Sequence, residues 1–244
     1  MKNKTIAIYP GRFQPFGKHH AASLMWLQNK FGKENTYIVT SNKTDDKSPF
    51  NFAEKKAIIE LYGIDPSHII EVKNPYNPVE LYSQFDGNIT DAVIMVGDKD
   101  MGNDPRFKIG PKKDGSPSFF QDYKSNQNNM QPLSKHGYLL TGPHISLKIP
   151  DVDKEMSGSM IRQVLGDTTK TREEKIKLFK DIFGWYSDKM ANYIFDKLEN
   201  KMTEAFSKDW WLEELLKEDC WDGYKQVGMK KKGNKQVPNC VPIS

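Results

Sequence analysis

Three titratable side chains stand together near the amino terminus, in the stretch YPGRFQPFGKHHAASL (residues 9–24). Lys18, His19 and His20 follow a turn rich in Gly and Pro, and they precede an apolar helical pattern. The first N–H groups of a helix lack partners within the helix, and the helix dipole adds positive potential there. A lysine and two imidazoles at such a point predict a site for an anion such as phosphate. The alternative is a solvated helix start that happens to hold these residues.

A second polar group, MSGSMIRQ (residues 156–163), stands at the start of another helical pattern. Arg162 follows Ser159 by about one helical turn, so both side chains can project from one face near that end. An ordinary capped helix with a solvated arginine is one interpretation of this stretch, and the family resemblance described below gives the other.

Alternating strand and helix patterns must position these two groups. Apolar runs bounded by turn residues predict buried strands, and apolar residues three and four apart predict helices. The predicted strands cover residues 4–10, 36–40, 68–73 and 91–97, and the predicted helices cover 19–32, 52–63 and 79–85. Asn51 and Glu54 have the spacing of a capping box at the second helix. Such βαβ units predict an α/β fold, a Rossmann-like parallel sheet with helices on both faces.

The first polar group then lies in the loop that leaves strand one and enters helix one. In an open parallel sheet, ligands bind at the carboxyl ends of the strands. Gly11 would allow the backbone there to approach a ligand closely, because glycine has no side chain. The sequence therefore places the candidate anion site at the ligand-binding edge of the sheet.

The regular alternation ends after Gly97. Residues 98–136 have no clear periodicity, which is typical of a functional loop or an ordered insertion. GYLL (137–140) and ISLKI (145–149) predict one or two further strands. Residues 157–200 carry three helical patterns.

Composition limits the class of protein. Of 244 residues, 37% are hydrophobic and 28% are charged, which is polar for a globular protein but not a disordered composition. No apolar run approaches the roughly 18 residues of a membrane span, and the apolar part of MKNKTIAIYP is too short for a signal peptide. The net charge of +4 gives little support to a dedicated nucleic-acid binder. We expect a soluble, cytoplasmic protein whose Cys220 and Cys240 are reduced thiols.

GRFQPFGKHH resembles the first motif of the nucleotidylyltransferase superfamily, the cytidylyltransferase-like fold with a His-x-Gly-His motif. The Gly-Arg-Phe-Gln-Pro part is most similar to nicotinamide mononucleotide adenylyltransferases. MSGSMIRQ resembles the second motif of the superfamily, a Ser/Thr-rich helix start that ends in arginine. The resemblance covers residues 4–166, and the following helices complete a domain of residues 1–200. Residues 201–244 would then form a helical and basic extension.

The first motif departs from the family pattern at one position. Gly17 stands where the family has its first histidine, His19 stands at the glycine position, and His20 matches the second histidine. His19 would supply the missing ring, or Lys18 would cover the phosphates as a point charge. Loss of activity is the third option.

The resemblance implies transfer of a nucleotidyl group from ATP or CTP to a small phosphorylated acceptor, with release of pyrophosphate. His20 would stabilise charge on the α-phosphate, while Ser157, Ser159 and Arg162 would hold the β- and γ-phosphates. The implied catalytic residues are His20, His19, Lys18 and Arg162. The implied nucleotide-binding residues are Pro10, Gly11, Arg12, Phe13, Gln14, Gly97, Asp98, Ser157, Gly158, Ser159 and Met160. Mg²⁺ would enter with the triphosphate, mostly without protein ligands.

Two turns are weaker candidates. NPYNP (74–78) follows strand three, so Asn74, Tyr76 and Asn77 are candidate acceptor-binding residues, but Pro and Asn are equally ordinary in a turn. GDKDMGND (97–104) follows strand four, where Asp98 and Asp100 either contact the base or ribose or form an acidic surface turn.

The last residues have a composition of their own. CWDGYKQVGMKKKGNKQVPNCVPIS contains five lysines, and Trp210, Trp211, Trp221 and Tyr224 occur just before or within it. Packing of these aromatics on the domain or on a neighbouring subunit is one interpretation, and contact with nucleic acid is another.

The C-terminal segment also resembles short tags on bacteriophage-encoded proteins. A non-catalytic nucleotide-binding or virion-associated phage protein, in the host cytoplasm, is therefore the alternative to an enzyme, and a homo-oligomer or a virion partner would use this tail.

Overall fold

A six-stranded parallel sheet organises the first part of the chain. The computed structural model describes residues 3–101, 107, 109–150, 152, 154–199, 224–232 and 235–242. The strands are β1 (Lys4–Pro10), β2 (Thr36–Thr40), β3 (Ile69–Glu71), β4 (Thr90–Val96), β5 (Phe120–Asp122) and β6 (Gly137–Thr141). Their order is β3-β2-β1-β4-β6-β5, and every pair is parallel. The predicted α/β, Rossmann-like fold is confirmed.

The central strands are apolar on both faces of the sheet. Ile8 of β1 and Ile94 of β4 belong to one cluster of buried side chains, and Ala7 and Val93 belong to a second cluster. Because successive side chains of a strand point to opposite faces, each cluster marks one face. Burial on both sides is typical of a parallel sheet covered by helices, and it explains the nearly continuous apolar runs in the sequence.

The described residues of this part of the chain form four α-helices before Gly158: α1 (Lys18–Phe31), α2 (Phe52–Glu60), α3 (Val79–Tyr82) and α4 (Tyr123–Asn126). α1 ends at Gly32, whose φ of 89° is in a region that favours glycine. The capping box predicted for α2 is confirmed, because Asn51 Oδ1 accepts from Glu54 N at 3.0 Å and Glu54 Oε2 accepts from Asn51 N at 2.6 Å.

The strand order reverses between β1 and β4. The chain proceeds from β1 to β2 and β3 on one side of the sheet, and β4, β6 and β5 lie on the other side. Loops that leave the carboxyl ends of β1 and β4 diverge at such a point and leave a crevice between them. The loop with the first polar group follows β1, so the topology places it at this crevice.

Two details differ from the predicted strands. β5 lies within residues 98–136, which the sequence predicted as a loop or an insertion, and it pairs with β6 at the edge of the sheet. Of the two stretches predicted as further strands, only GYLL joins the sheet, as β6. ISLKI contributes just β7 (Lys148–Ile149), which pairs antiparallel with β8 (Lys154–Glu155) in a separate ribbon.

Internal contacts divide the chain into two units, Met1–Arg162 and Gln163–Ser244. Helix α5 (Gly158–Leu165) crosses the division, and α6 (Arg172–Phe183) and α7 (Asp188–Leu198) belong to the second unit, as the three helical patterns predicted. Phe179 packs against Phe183 and Phe195 there. The boundary predicted after residue 200 borders on residues outside the described part of the chain and stays a prediction.

The described part of the extension is a hairpin rather than a helix. β9 (Tyr224–Lys232) and β10 (Lys235–Pro242) pair antiparallel in their own two-stranded sheet. Trp210, Trp211 and Trp221, on which the aromatic interpretation of the tail rested, lie outside the described residues. Among the helices that the structure describes, none has the length and apolar character of a membrane span.

Candidate functional site

A cleft of about 430 Å³ opens at the carboxyl end of the sheet, where the strand order reverses. The loop after β1, the first turns of α1 and α5, and the turns after β4 and β6 form its walls. The lining residues are Tyr9, Pro10, Gly11, Arg12, Phe13, Gln14, His20, Ser23, Lys47, Tyr76, Met95, Val96, Gly97, Asp100, Gly142, Pro143, Ser157, Gly158, Ser159 and Arg162. All of them lie within the unit Met1–Arg162.

The cleft brings the two polar groups of the sequence together. The predicted site residues in its lining are Pro10, Gly11, Arg12, Phe13, Gln14, His20, Tyr76, Gly97, Ser157, Gly158, Ser159 and Arg162. The predicted site residues outside the lining are Lys18, His19, Asp98, Met160, Asn74 and Asn77. Asn74 instead shapes the turn that carries Tyr76, because its Oδ1 accepts from Tyr76 N at 3.1 Å and its carbonyl accepts from Asn77 N at 3.0 Å.

The turn after β1 is tight because of an aromatic ring. Phe13 is buried and has a φ of 46°, the only described residue other than glycine with a positive φ. A Cβ on Gly11 would lie 2.4 Å from Cε1 of Phe13, so only glycine leaves room for that ring. We expected Gly11 to allow close approach of a ligand, and in the structure the group that approaches Gly11 is the Phe13 ring.

Gln14 joins the two polar groups. Its side chain is buried and exchanges two hydrogen bonds with the backbone of Phe50, at 2.7 Å and 2.8 Å. Its carbonyl oxygen accepts from Nη1 of Arg162 at 2.6 Å. A Cβ on Gly158 would lie 3.0 Å from the same oxygen, so glycine permits this close approach. Gln14 therefore fixes α5, and Arg162 with it, against the loop after β1.

His20 is held in one orientation. Its Nδ1 accepts from the backbone N of Gly17 at 3.2 Å, which is one half of a capping box at the start of α1. Its ring packs against Phe13 and Phe16, with centroid distances of 5.2 Å and 5.3 Å. Burial, and then the neighbouring His19, hold the pKa of His20 well below its usual 6.5. The ring is thus neutral at pH 7, and because Nδ1 is an acceptor, Nε2 carries the proton.

His19 fills the space beside Gly17. Its ring centroid lies 3.8 Å from that of His20, and burial lowers its pKa to about 4. Gly17 has an extended backbone that any residue adopts, with a φ of −124°. A Cβ at position 17 would however lie 3.2 Å from Ile161 Cδ1 and 3.3 Å from His19 Nδ1. The space next to position 17 is therefore already occupied by the imidazole of His19.

Cations outnumber carboxylates in the cleft lining. Arg12, Lys47 and Arg162 face one carboxylate, Asp100. Burial and then the nearby Arg12 guanidinium lower the pKa of Arg162, an effect that Asp45 opposes. Like charges this close repel each other, so an anion that binds between them gains from both.

The start of α5 adds neutral donors. Ser157 Oγ accepts from Met160 N at 3.3 Å and lies 3.2 Å from Ser159 Oγ. The backbone N–H groups of the first turn have no partner within the helix, and together with the hydroxyls they suit an anion. Met160 contributes its backbone N–H to this cap rather than to the cleft.

Seven lining residues were not selected from the sequence: Tyr9, Ser23, Lys47, Met95, Val96, Gly142 and Pro143. Met95 and Val96 end β4, and Gly142 and Pro143 follow β6, so the rule that ligands bind at carboxyl strand ends would have found these four. Asp100 was weighed only beside Asp98, and the structure places Asp100 in the lining. Lys47 had no comparable signal.

The described side chains offer no cluster for a metal ion. No group of three or more His, Cys, Asp or Glu side chains with suitable geometry occurs among them. Asp100 is a single carboxylate in the lining, beside hydroxyls and cations.

We expect stability to fall on acidification through the two neutral histidines. Their folded pKa values lie below the unfolded value of 6.5, so the unfolded chain takes up protons first as the pH falls. For each histidine, the free energy of unfolding then decreases by up to about 1.4 kcal/mol per pH unit below pH 6.5. For His19 this decrease ends near pH 4. Denaturant titrations from pH 7.5 to 5 should show this slope, and His19→Asn should reduce it. An equal slope in that variant would contradict the assignment.

Comparison with known proteins gives matches only among solved structures. No family model and no curated protein matches the chain. A nicotinic acid mononucleotide adenylyltransferase of Plasmodium falciparum, complexed with NaAD, is 17% identical with a TM-score of 0.48, over 80% of this chain and 98% of that chain. A putative nicotinate-nucleotide adenylyltransferase of Vibrio parahaemolyticus is 13% identical with a TM-score of 0.36, over 74% of this chain and 96% of that chain. Both are described as adenylyltransferases.

Proposed function

We propose that the chain is a nucleotidylyltransferase that transfers a nucleotidyl group from ATP or CTP to a small phosphorylated acceptor. One observation carries the proposal: the loop after β1 and the start of α5 line one cleft and are joined by the bond from Arg162 to Gln14. Each segment alone is a common polar helix start. Together with Lys47 they surround a space with three cations, two serine hydroxyls and a neutral imidazole, which suits a triphosphate.

The proposed reaction is a direct displacement at phosphorus. An oxygen of the acceptor attacks the α-phosphorus, the bond from that phosphorus to the bridging oxygen of the β-phosphate breaks, and pyrophosphate leaves with the electron pair. A phosphate oxygen of the acceptor is a competent nucleophile without loss of a proton at pH 7. The protein's work is then positioning and stabilisation of charge.

His20 is suited to stabilise charge at the α-phosphate. Its neutral ring donates through Nε2, and its orientation is fixed by Gly17, Phe13 and Phe16 before any ligand binds. A preorganised donor of this kind stabilises charge that grows during the reaction without reorganisation. Binding of a polyanion would also raise the pKa of the ring and strengthen the bond.

Arg12, Lys47 and Arg162 are suited to the β- and γ-phosphates and to the leaving pyrophosphate. Their mutual repulsion in the free protein is relieved when phosphate charge binds among them. Mg²⁺ bound to the triphosphate would neutralise further charge there. Asp100 is the carboxylate of the lining that such an ion would meet.

Acceptor binding is assigned to the side of Tyr76. This ring lines the cleft on the turn after β3, and Asn74 and Asn77 hold that turn. We propose an acceptor similar to nicotinamide or nicotinate mononucleotide, on the resemblance of the first motif.

Release of pyrophosphate tests the proposal directly. The full chain is incubated with Mg²⁺, each of the common triphosphates and a panel of phosphorylated acceptors, and pyrophosphate is measured. Turnover with one pair of substrates supports the enzyme. Binding of a triphosphate without turnover would favour the second candidate, a non-catalytic nucleotide-binding or virion-associated protein, for which Gly17 at the first histidine position is the supporting observation.

Arg162→Ala should weaken the response to nucleotide without unfolding the protein. ATP or CTP with Mg²⁺ is expected to raise the Tm of the wild type, because a ligand that binds only the folded state stabilises it. Loss of a charge-assisted hydrogen bond to phosphate removes about 1.5–3 kcal/mol of binding, so the Kd should rise by about tenfold or more. Scanning calorimetry with and without nucleotide checks this, and Arg172→Ala, in the second unit, is the matched control. An unchanged shift in folded Arg162→Ala would remove Arg162 from the phosphate site.

A further inference from the structure

One lysine is buried next to the cleft without being part of its lining. Lys55 lies in α2, and it is 1% exposed. Its Nζ donates to Thr40 Oγ1 at 3.0 Å and to the carbonyl oxygen of Ser41. Both acceptors are uncharged and stand at the carboxyl end of β2, one strand away from the loop after β1.

Burial of this ammonium is costly. Desolvation lowers the pKa of Lys55 to about 8, although Glu71 and Glu54 act in the opposite direction. A lowered lysine pKa means that the charged form is less stable in the folded protein than in the unfolded chain. Methionine, of similar length, would fill the space without this cost. Packing therefore does not explain a lysine at this position.

The partners of Lys55 lead to the loop after β1. Because Nζ donates to Thr40 Oγ1, the hydroxyl proton of Thr40 is directed elsewhere, and its acceptor is the carbonyl oxygen of Arg12 at 3.5 Å. This bond is long, but the adjacent residue adds a second link, since Gly11 N donates to Val39 O at 3.1 Å. The end of β2 thus supports both sides of Arg12.

This support acts where the loop is strained. Arg12 lies directly before Phe13, whose φ of 46° is unfavourable for a residue with a side chain. The Phe13 ring in turn packs against His20 with a centroid distance of 5.2 Å. A strained conformation persists only when its surroundings hold it. A fixed hydrogen-bond chain to the carbonyl before Phe13 is one such restraint.

We propose that Lys55 is a positioning residue that acts through Thr40 to hold the Arg12–Phe13 turn in the conformation that binds phosphate. The chain of donors runs from Lys55 Nζ to Thr40 Oγ1 and from Thr40 to the Arg12 carbonyl. Lys55 touches neither nucleotide nor acceptor. The expected effect on nucleotide binding rests on the proposed function. The expected effect on the order of the loop after β1 rests on the structure alone.

The test compares Lys55→Met and Thr40→Val with Lys56→Met, a lysine of the same helix that is only half-buried. Titration calorimetry with Mg²⁺ and ATP, or CTP if the wild type binds only CTP, measures the Kd of the folded protein, which a purely structural role would leave unchanged. We expect the Kd to rise about fivefold in each of the first two variants, as for the loss of one hydrogen bond, and to stay constant in the control. The double variant Lys55→Met/Thr40→Val should bind the nucleotide as tightly as either single variant, because both changes interrupt the same hydrogen-bond chain.

Hydrogen exchange supplies a readout that needs no ligand. Exchange at the amides of residues 11–13 should be faster in Lys55→Met and Thr40→Val than in Lys56→Met. If the wild type binds neither ATP nor CTP, the proposed function fails while this measurement still decides the role of Lys55. Should Lys55→Met not fold, Thr40→Val carries both readouts, because it removes a hydroxyl and keeps the shape. Unchanged exchange, or an unchanged Kd in a protein that binds ATP or CTP, would overturn the proposal.

Discussion

Replacement of His20 by alanine should lower kcat by about 10²–10³-fold, while the KM for nucleotide changes little. The ring lines the cleft, is neutral, and carries its proton on Nε2 in an orientation set by the Gly17 N–H. A donor that meets charge only as it develops contributes to the transition state and not to the bound substrate. Steady-state kinetics with the best substrate pair from the pyrophosphate assay measure both constants.

Two further variants separate the donor from the ring. His20→Gln keeps an amide N–H near the position of Nε2, so we expect its kcat between those of the wild type and His20→Ala. His136→Ala removes a histidine that lies outside the cleft lining and should leave kcat unchanged. Full activity in His20→Ala would exclude His20 from the chemistry, and with it the proposed role of this loop.

The sheet was predictable because its strands are buried on both sides. β1, β2 and β4 appear in the sequence as apolar runs bounded by Pro, Gly and Ser, and burial on both faces is the physical reason for these runs. β5 was missed because three half-buried residues, FQD, at the edge of the sheet carry no such pattern. Its strand character comes from pairing with β6, which is a tertiary effect.

Most of the cleft lining was predicted because the two motifs resemble those of a known family, and the first motif also sits at a helix start on the ligand-binding edge of the sheet. Lys47 was not, because it lies in an exposed segment of mixed charge that looks like any solvated loop. Three residues later, Phe50 exchanges two hydrogen bonds with Gln14, and this long-range contact has no signature in the sequence. The position of the His19 ring beside Gly17 also follows from packing, so the spacing of residues in the sequence could not predict it.

The exchange of two residues should reveal whether His19 or Lys18 does the work of the histidine that the resembled motif has at position 17. In the double variant Gly17→His/His19→Gly, the motif becomes His-Lys-Gly-His, and the ring enters from position 17 instead of position 19. Gly17→His alone should be destabilised by about 1–3 kcal/mol, because its side chain meets Ile161 and the ring of His19. His19→Gly alone removes the ring that packs on His20, and the resulting misplacement should lower kcat by up to about 10²-fold.

The double variant should therefore be more stable and more active than either single variant suggests, with a coupling free energy of about 1–3 kcal/mol. Denaturant unfolding and kcat, measured on all four proteins, give the coupling in stability and in turnover separately. If both stability and kcat are restored, the imidazole of His19 does the work that a ring at position 17 would do, although His19 lies two residues later in the sequence. If Lys18 fills that role instead, Lys18→Ala should raise KM more than it lowers kcat. The exchange would then restore stability, because the steric conflict is relieved, but would leave kcat at the level of His19→Gly.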